Sequence, residues 1–143
     1  MPEQTGYYFE DLAEGMTASY AKTVTDADIV LFAGVSGDTN PVHLNDEFAR
    51  DSMFKGRIAH GMLSASLIST VFGTKMPGPG CIYMSQSLRF KAPVRPGDTV
   101  TAKVTVAELR PEKKQARFET VCLVNGKPVL DGEALILVPG RPA

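Results

Sequence analysis

Gly61-Met-Leu-Ser-Ala-Ser-Leu-Ile-Ser-Thr-Val-Phe-Gly-Thr74 contains no charged residue. Its residues are small or apolar, and it reads as a helix from about His60 to Phe72. A surface helix keeps a polar, charged face in water, so a helix without one is expected to be surrounded by protein. Its serines, alanine and glycines let neighbouring backbone approach closely. Ser64, Ser66, Ser69 and Thr70 interrupt the apolar run, which is also too short to span a bilayer. The fold is therefore expected to be built around this helix.

Downstream of it the pattern changes from helix to strand. Met76-Pro-Gly-Pro-Gly80 is a turn cluster. Cys81 to Phe90 reads as one strand, and Lys91 to Asp98, punctuated by Pro93 and Pro96, breaks it. Thr99 to Arg110 alternates Val100, Ala102, Val104 and Val106 with Thr101, Lys103 and Thr105, as a half-buried strand does. Gln115 to Val124 and Val129 to Val138 are joined by Asn125-Gly-Lys-Pro128, a hairpin signal. Upstream, Tyr7-Tyr-Phe9 is an aromatic cluster expected to pack on the domain, and Met16 to Val24 reads as a first strand. Thr25-Asp-Ala-Asp28 is a capping box opening a second helix, which Gly34 weakens and Gly37 ends. Asn45 caps a short helix from Asp46 to about Ser52, and Phe54 to Ile58 is irregular. The order is strand, helices, then four strands linked mostly as a meander. That is an α+β domain over residues 1–143, with an antiparallel sheet of about five strands wrapped around the uncharged helix.

The bulk composition narrows the function classes. Fifteen basic residues against 16 acidic ones give a net charge of −1. Nucleic-acid and membrane-surface binding draw on a basic excess that is missing here. Cys81 and Cys122 form no close pair and suggest no oxidised framework. Two histidines provide no zinc spacing. The N-terminal Met1-Pro-Glu-Gln-Thr-Gly6 is polar and unlike a signal peptide. The expectation is a soluble protein of a reducing compartment, most simply the cytoplasm.

The chemistry concentrates in Gly37-Asp-Thr-Asn-Pro-Val-His-Leu44, which holds a carboxylate, Asp38, and an imidazole, His43. Pro41 between them disfavours helix continuation and pushes Asn40 toward extended backbone, so the stretch is expected to be a stiff loop and not a helix face. An acid/base pair on such a loop suits proton transfer. The same composition also suits an ordinary turn. His60 reads as a structural histidine where the uncharged helix begins, and Ser64 and Ser66 as small packing residues.

Taken together, Phe32, Gly37-Asp38, Asn40-Pro-Val-His43 and Ala49 resemble the (R)-specific enoyl-CoA hydratases of the MaoC-like group, which have the hot-dog fold. So do Ala59-His-Gly-Met62, the strand Ile82 to Phe90 and Pro93-Val-Arg-Pro-Gly-Asp98. The resemblance runs from about Tyr8 to Val138. It implies a reversible syn hydration of a trans-2-enoyl-CoA to an (R)-3-hydroxyacyl-CoA, with Asp38 and His43 as the catalytic dyad. It also implies an acyl tunnel by the central helix and pairing of units into a homodimer or a higher even oligomer. No metal or redox cofactor is expected, CoA being part of the substrate, and neither nucleic acid nor membrane is expected as a partner. The alternatives are an acyl-CoA thioesterase and a non-catalytic acyl-binding domain on the same fold.

Such a reaction needs a base for the water, a proton for the α-carbon and a donor for the enolate-like oxygen. A neutral imidazole suits the first, which makes His43 the better base. Asp38 orients the same water or carries the proton, and a syn addition can also use one water for both atoms. Gly61, at the start of the helix, offers an unpaired backbone N–H to the thioester oxygen; close helix–loop packing is the competing account of that glycine. Ser69, two turns further on, resembles a family position near the bound water and acyl chain. Asn40 is expected to hold the loop through side-chain bonds to backbone. Phe72 and Leu137 read as core residues that also suit the floor of a short acyl pocket. Lys55, Arg57, Arg89, Lys91 and Arg95 read as ordinary solvated charges, one or two of which would supply any contact to CoA phosphates.

Overall fold

A computed structural model describes residues 6–143. The reading of the first residues as unlike a signal peptide concerns positions 1–5, which lie outside that range. After a 3₁₀ turn at Phe9–Asp11 come strand β1 (Thr17–Thr23), helix α1 (Asp26–Ser36), two short helices α2 (Pro41–Leu44) and α3 (Asp46–Arg50), and helix α4 (Gly61–Thr74). Strands β2 (Ile82–Gln86), β3 (Arg89–Phe90), β4 (Thr99–Arg110), β5 (Gln115–Val124) and β6 (Lys127–Leu137) follow. They form a six-stranded sheet in the order β1-β4-β5-β6-β2, with the short β3 also paired to β6. Every pairing is antiparallel.

The alternation in β4 is realised as read: Val100, Ala102, Val104 and Val106 are buried. Ala116, Phe118, Thr120 and Cys122 of β5 lie beside them, and Leu130, Ala134 and Ile136 of β6 complete this face. Helix α4 lays Leu63, Ala65, Leu67, Ile68, Val71 and Phe72 into the same core, against β1, β4 and β5. The β5–β6 hairpin closes through Asn125 (φ 51°) and Gly126 (φ 75°), with Val124 paired to Lys127. Two consecutive positive φ values match the right-handed twist of the flanking strands. Pro128 therefore belongs to β6 and not to the turn, and the register irregularity between Cys122 and Leu123 lies opposite it.

Three sequence expectations change. The strand read from Cys81 to Phe90 is divided, because the chain bends at Ser87-Leu88. There the Ser87 carbonyl lies against Gly132, where an added Cβ would come within 1.8 Å of it, so β6 carries a glycine at the crossing. The Asp38–His43 stretch is not a pure loop. Pro41 starts a single helical turn, since a proline at the first helical position gives up only an N–H that has no intrahelical partner there. Asn40 caps that turn, its Oδ1 accepting from Val42 N–H at 3.1 Å. Finally, α4 is not enclosed on all sides: Gly61, Met62, Ser66, Ser69 and Gly73 are exposed. The missing charges on α4 thus correspond to one face in the core and another face left open in the single chain.

Candidate active site

Helix α1 delivers the first site residue. Both bonds of the Thr25/Asp28 capping box are present, at 3.2 and 3.0 Å. At the other end Gly37 takes the left-handed conformation (φ 78°) and returns its N–H to the Ala33 carbonyl. Ser36 Oγ accepts from Asp38 N–H at 3.1 Å, and Asp38 Oδ1 accepts from Asn40 N–H at 3.3 Å. These local bonds leave the Asp38 side chain exposed above the turn that carries His43.

His43 is buried, and its Nδ1 lies 2.8 Å from the Ile58 carbonyl. A carbonyl only accepts, so Nδ1 carries a proton, and in the neutral ring Nε2 is then the free lone pair. Ile58 belongs to the irregular segment before α4. Its N–H reaches the Val42 carbonyl at 3.3 Å, and Ala59 N–H reaches the Val94 carbonyl at 2.7 Å. The Arg95 guanidinium donates to the Gly56 carbonyl at 3.1 Å and to the Phe54 carbonyl, tying the segment from the other side. Arg57 is held by Asp26 at 2.9 Å and Asp46 at 2.6 Å, and its hydrogen bond to Asp46 contributes most to raising its pKa. Arg57 and Arg95 therefore brace this segment. Lys91 pairs with Asp131 at 2.7 Å and lines the cavity described next.

Asp38, His43 and Gly61 all line one cavity of about 550 Å³, within the usual range of ligand pockets. Its walls are mainly apolar: Phe54, Ile58, Val94, Val129 and Leu130, with Met62, Met53 and Phe90 nearer solvent. His60, the residue before α4, makes no side-chain cap, so the first N–H groups of this 14-residue helix keep their positive end for another partner. An alanine Cβ at Gly61 would stand 2.6 Å from the Phe90 ring, so the glycine is also what allows that ring to rest there. Both accounts of Gly61 apply at once.

Ser69 is not among the residues lining this cavity; it is exposed on the open face of α4. Phe72 is fully in the core, with edge contacts to Phe118 at 4.9 Å and Tyr83 at 5.2 Å. Neither Phe72 nor Leu137 forms the cavity floor. Sequence reasoning missed Ile58, Phe90 and Leu130 as wall residues, because a chain-distant wall leaves no periodic signal. It also undervalued His60, whose ring stacks on His43 with centroids 3.8 Å apart. The juxtaposition of His60 with Gly61 was the available signal.

An uncharged helix cradled by an antiparallel sheet, with Asp38 and His43 gathered beside the helix start, is the architecture of a hot-dog domain. Residues 10–131 match the MaoC like domain, and the chain belongs to that family. It is 62% identical to an (R)-specific enoyl-CoA hydratase of Rhodospirillum rubrum, over 94% of each chain. It is 52% identical to a 3-hydroxybutyryl-CoA dehydratase of Methylorubrum extorquens, covering 99% of this chain and 90% of that one. Among solved structures, an R-hydratase of Pseudomonas aeruginosa superposes with a TM-score of 0.90 at 44% identity, covering 95% of this chain and 88% of its own.

Proposed function

We propose that the protein adds water reversibly to trans-2-enoyl-CoA thioesters of short to medium chain, giving (R)-3-hydroxyacyl-CoA. One observation carries the proposal: Asp38, His43 and the uncapped start of α4 at Gly61 share one apolar cavity. His43, with its proton on Nδ1, uses Nε2 to take a proton from water. The Asp38 carboxylate accepts a hydrogen bond from the same water and aims it. The oxygen bonds to the β-carbon, the C=C electron pair shifts toward the thioester, and the proton taken up by His43 is then delivered to the α-carbon from the same side, so the product gains one H₂O and the imidazole returns to its starting form. Negative charge builds on the thioester oxygen in between, and the Gly61 N–H stabilises it there. Such a donor contributes about 2.7–4 kcal/mol in comparable sites. The apolar walls suit the acyl chain and strengthen these electrostatic terms by excluding water. The relatives named as hydratase and dehydratase support the same reading.

The proposed chemistry uses no metal. Asp38, His43 and His60 each offer a ligand atom within 4.8 Å of the others. The two imidazoles, however, are stacked with planes only 27° apart. Lone pairs lying in two stacked ring planes do not readily meet, whereas one cation needs them to converge at about 2.0–2.1 Å. Pairing of two copies is part of the proposal, because β2 is an edge strand with Ile82, Tyr83 and Met84 exposed. Cytoplasmic residence is too, in keeping with free thiols at Cys81 and Cys122. Among the described residues no helix is long and apolar enough to cross a membrane.

Crotonyl-CoA tests the reaction directly. Loss of the enoyl absorbance without release of thiol, with a chiral assay showing the (R)-alcohol, is the expected result. Asp38→Asn and His43→Gln should each lower kcat by about 10²–10⁴-fold with the circular dichroism unchanged. Thiol release would instead mean a thioesterase, and no reaction with retained acyl-CoA binding would mean a binding domain.

A further inference from the structure

His60 carries two features that a packing residue does not need. It is 2% exposed, and its Nδ1 has no hydrogen-bond partner among the described residues. Its Nε2 lies 2.9 Å from the backbone carbonyl of Asp38. That carbonyl only accepts, so Nε2 carries the proton and Nδ1 is left as a buried bare lone pair. An unpaired buried acceptor costs stability, and leucine in the same place would avoid the cost. Packing alone therefore argues against a histidine here.

The bond to Asp38 supplies the reason for one. His43, on the turn after Asp38, is anchored to Ile58 at 2.8 Å. His60, two residues beyond Ile58, is anchored back to Asp38. The two bonds cross between the same two segments, and the rings that make them stack at 3.8 Å and 27°. Phe32 also packs against His60, with ring centroids 4.9 Å apart and the planes tilted by 53°. The chain's two histidines thus hold opposite tautomers: His43 with the proton on Nδ1, His60 with the proton on Nε2.

We infer that His60 is a positioning residue for the hydration proposed above, fixing the Asp38 backbone and bracing the His43 ring so that Asp38 and His43 stay in register. Its ring also lies in the cavity wall, and the role assigned to it is to hold Asp38 and His43 rather than the substrate. The inference rests on the Asp38/His43 reading, but its first test does not. In tag-free protein with ¹⁵N-labelled histidine, long-range ¹H–¹⁵N spectra at about pH 8, above the ordinary imidazole pKa, report the tautomer of each ring. Two ring systems are expected, one protonated on Nδ1 and one on Nε2, and two rings of the same tautomer would overturn the inference. If crotonyl-CoA is not hydrated at all, the parent reading fails while this spectrum still stands.

Activity provides the second test. His60→Leu removes both the donor and the orphaned nitrogen. It should keep or raise Tm, lower kcat about ten- to a hundredfold through misplacement of the dyad, and leave KM within about threefold. His60→Gln, whose amide donates in place of Nε2–H, should recover most of that loss. A His60→Leu enzyme with wild-type kcat, or a His60→Gln enzyme no better than His60→Leu, would overturn the positioning role.

Discussion

Gly61→Ala isolates the proposed oxyanion donor, because it keeps the backbone N–H and changes only what can reach it. The added Cβ would stand 2.6, 2.8 and 3.3 Å from three carbons of the Phe90 ring. Ordinary carbon contact needs roughly 3.5–4.0 Å, so the ring must retreat by about 1 Å. Overpacking a closed core costs about 1–3 kcal/mol. Phe90 is 54% exposed, so its ring has solvent to move into and the low end applies. Replacing a helical glycine by alanine returns up to about 1 kcal/mol. The net effect on stability is then near zero to about 1 kcal/mol, a Tm shift of at most about 3–5 °C at this length. The effect on rate is expected to be far larger. Both Gly61 and Phe90 line the cavity, so the methyl group stands at the wall that the thioester oxygen must approach. Loss of most of one donor corresponds to about 10²-fold in kcat/KM. Hydration of crotonyl-CoA and a thermal melt, run on Gly61→Ala and on Gly61→Ala/Phe90→Ala, separate the terms. The second substitution should restore Tm and leave the rate low. If Gly61→Ala keeps kcat/KM within threefold of wild type, or if removing Phe90 restores the rate, the donor at Gly61 is not part of the chemistry.

Other parts of the structure make independent claims. Thr25→Ala removes the cap of α1 and should cost about 1 kcal/mol by urea denaturation. Asp28 completes that cap, and the bond from Thr25 N–H holds its carboxyl below the usual range. A depressed carboxylate stabilises the fold above its unfolded pKa and loses that contribution as pH falls through the folded one. Asp28→Asn should therefore be less stable than wild type at pH 7, with the gap closing below about pH 4. Burial pushes the Cys122 thiol up to about 12 and raises Cys81 as well. Native protein at about pH 8 should therefore react slowly with a thiol reagent and give two equivalents only after unfolding. Met84→Lys places a charge on the exposed β2 edge and should shift sedimentation at micromolar concentration from dimer to monomer; an unchanged dimer would mean that β2 is not the pairing edge.

What could be read in the sequence was whatever depends on local periodicity. The β4 alternation, the Thr25 cap, the Gly37 stop and the hairpin at Asn125-Gly126 are each decided within a few residues, and each forms, the hairpin with a connection two residues shorter than read. The break at Ser87-Leu88 was not legible, because it depends on Gly132 more than forty residues away. The one-turn helix at Pro41 was missed for a different reason: proline was weighed as a helix breaker, when at the first helical position it is a starter. Asp38 and His43 were legible as a pair because one short stretch carries both. The partner segment was not, since the bonds made by His43, His60 and Arg95 end on the backbone carbonyls of Ile58, Asp38 and Gly56, and a carbonyl acceptor leaves no mark on its own residue type.

The absence of charge along α4, which decides the fold, has more than one cause. Between Leu63 and Phe72 the buried face meets the sheet, and a charge there would be desolvated without a partner. At Gly61 and Met62 the reason is access. The first N–H groups are uncapped, and a bulky or charged side chain would compete for the space in front of them. Ser66, Ser69 and Gly73 fit neither account. They are exposed in the single chain, yet small and neutral where lysine or glutamate would be ordinary on a solvated face. Small neutral residues on an open helix face suit close approach by another surface, as does the apolar edge of β2. If another surface closes over this face, the position of Ser69 outside the cavity of one chain would not argue against a role near the acyl group. Ser69→Arg distinguishes the cases. On a free surface it should leave sedimentation and kcat/KM unchanged, whereas at a covered one it should weaken the dimer or the binding of longer acyl chains.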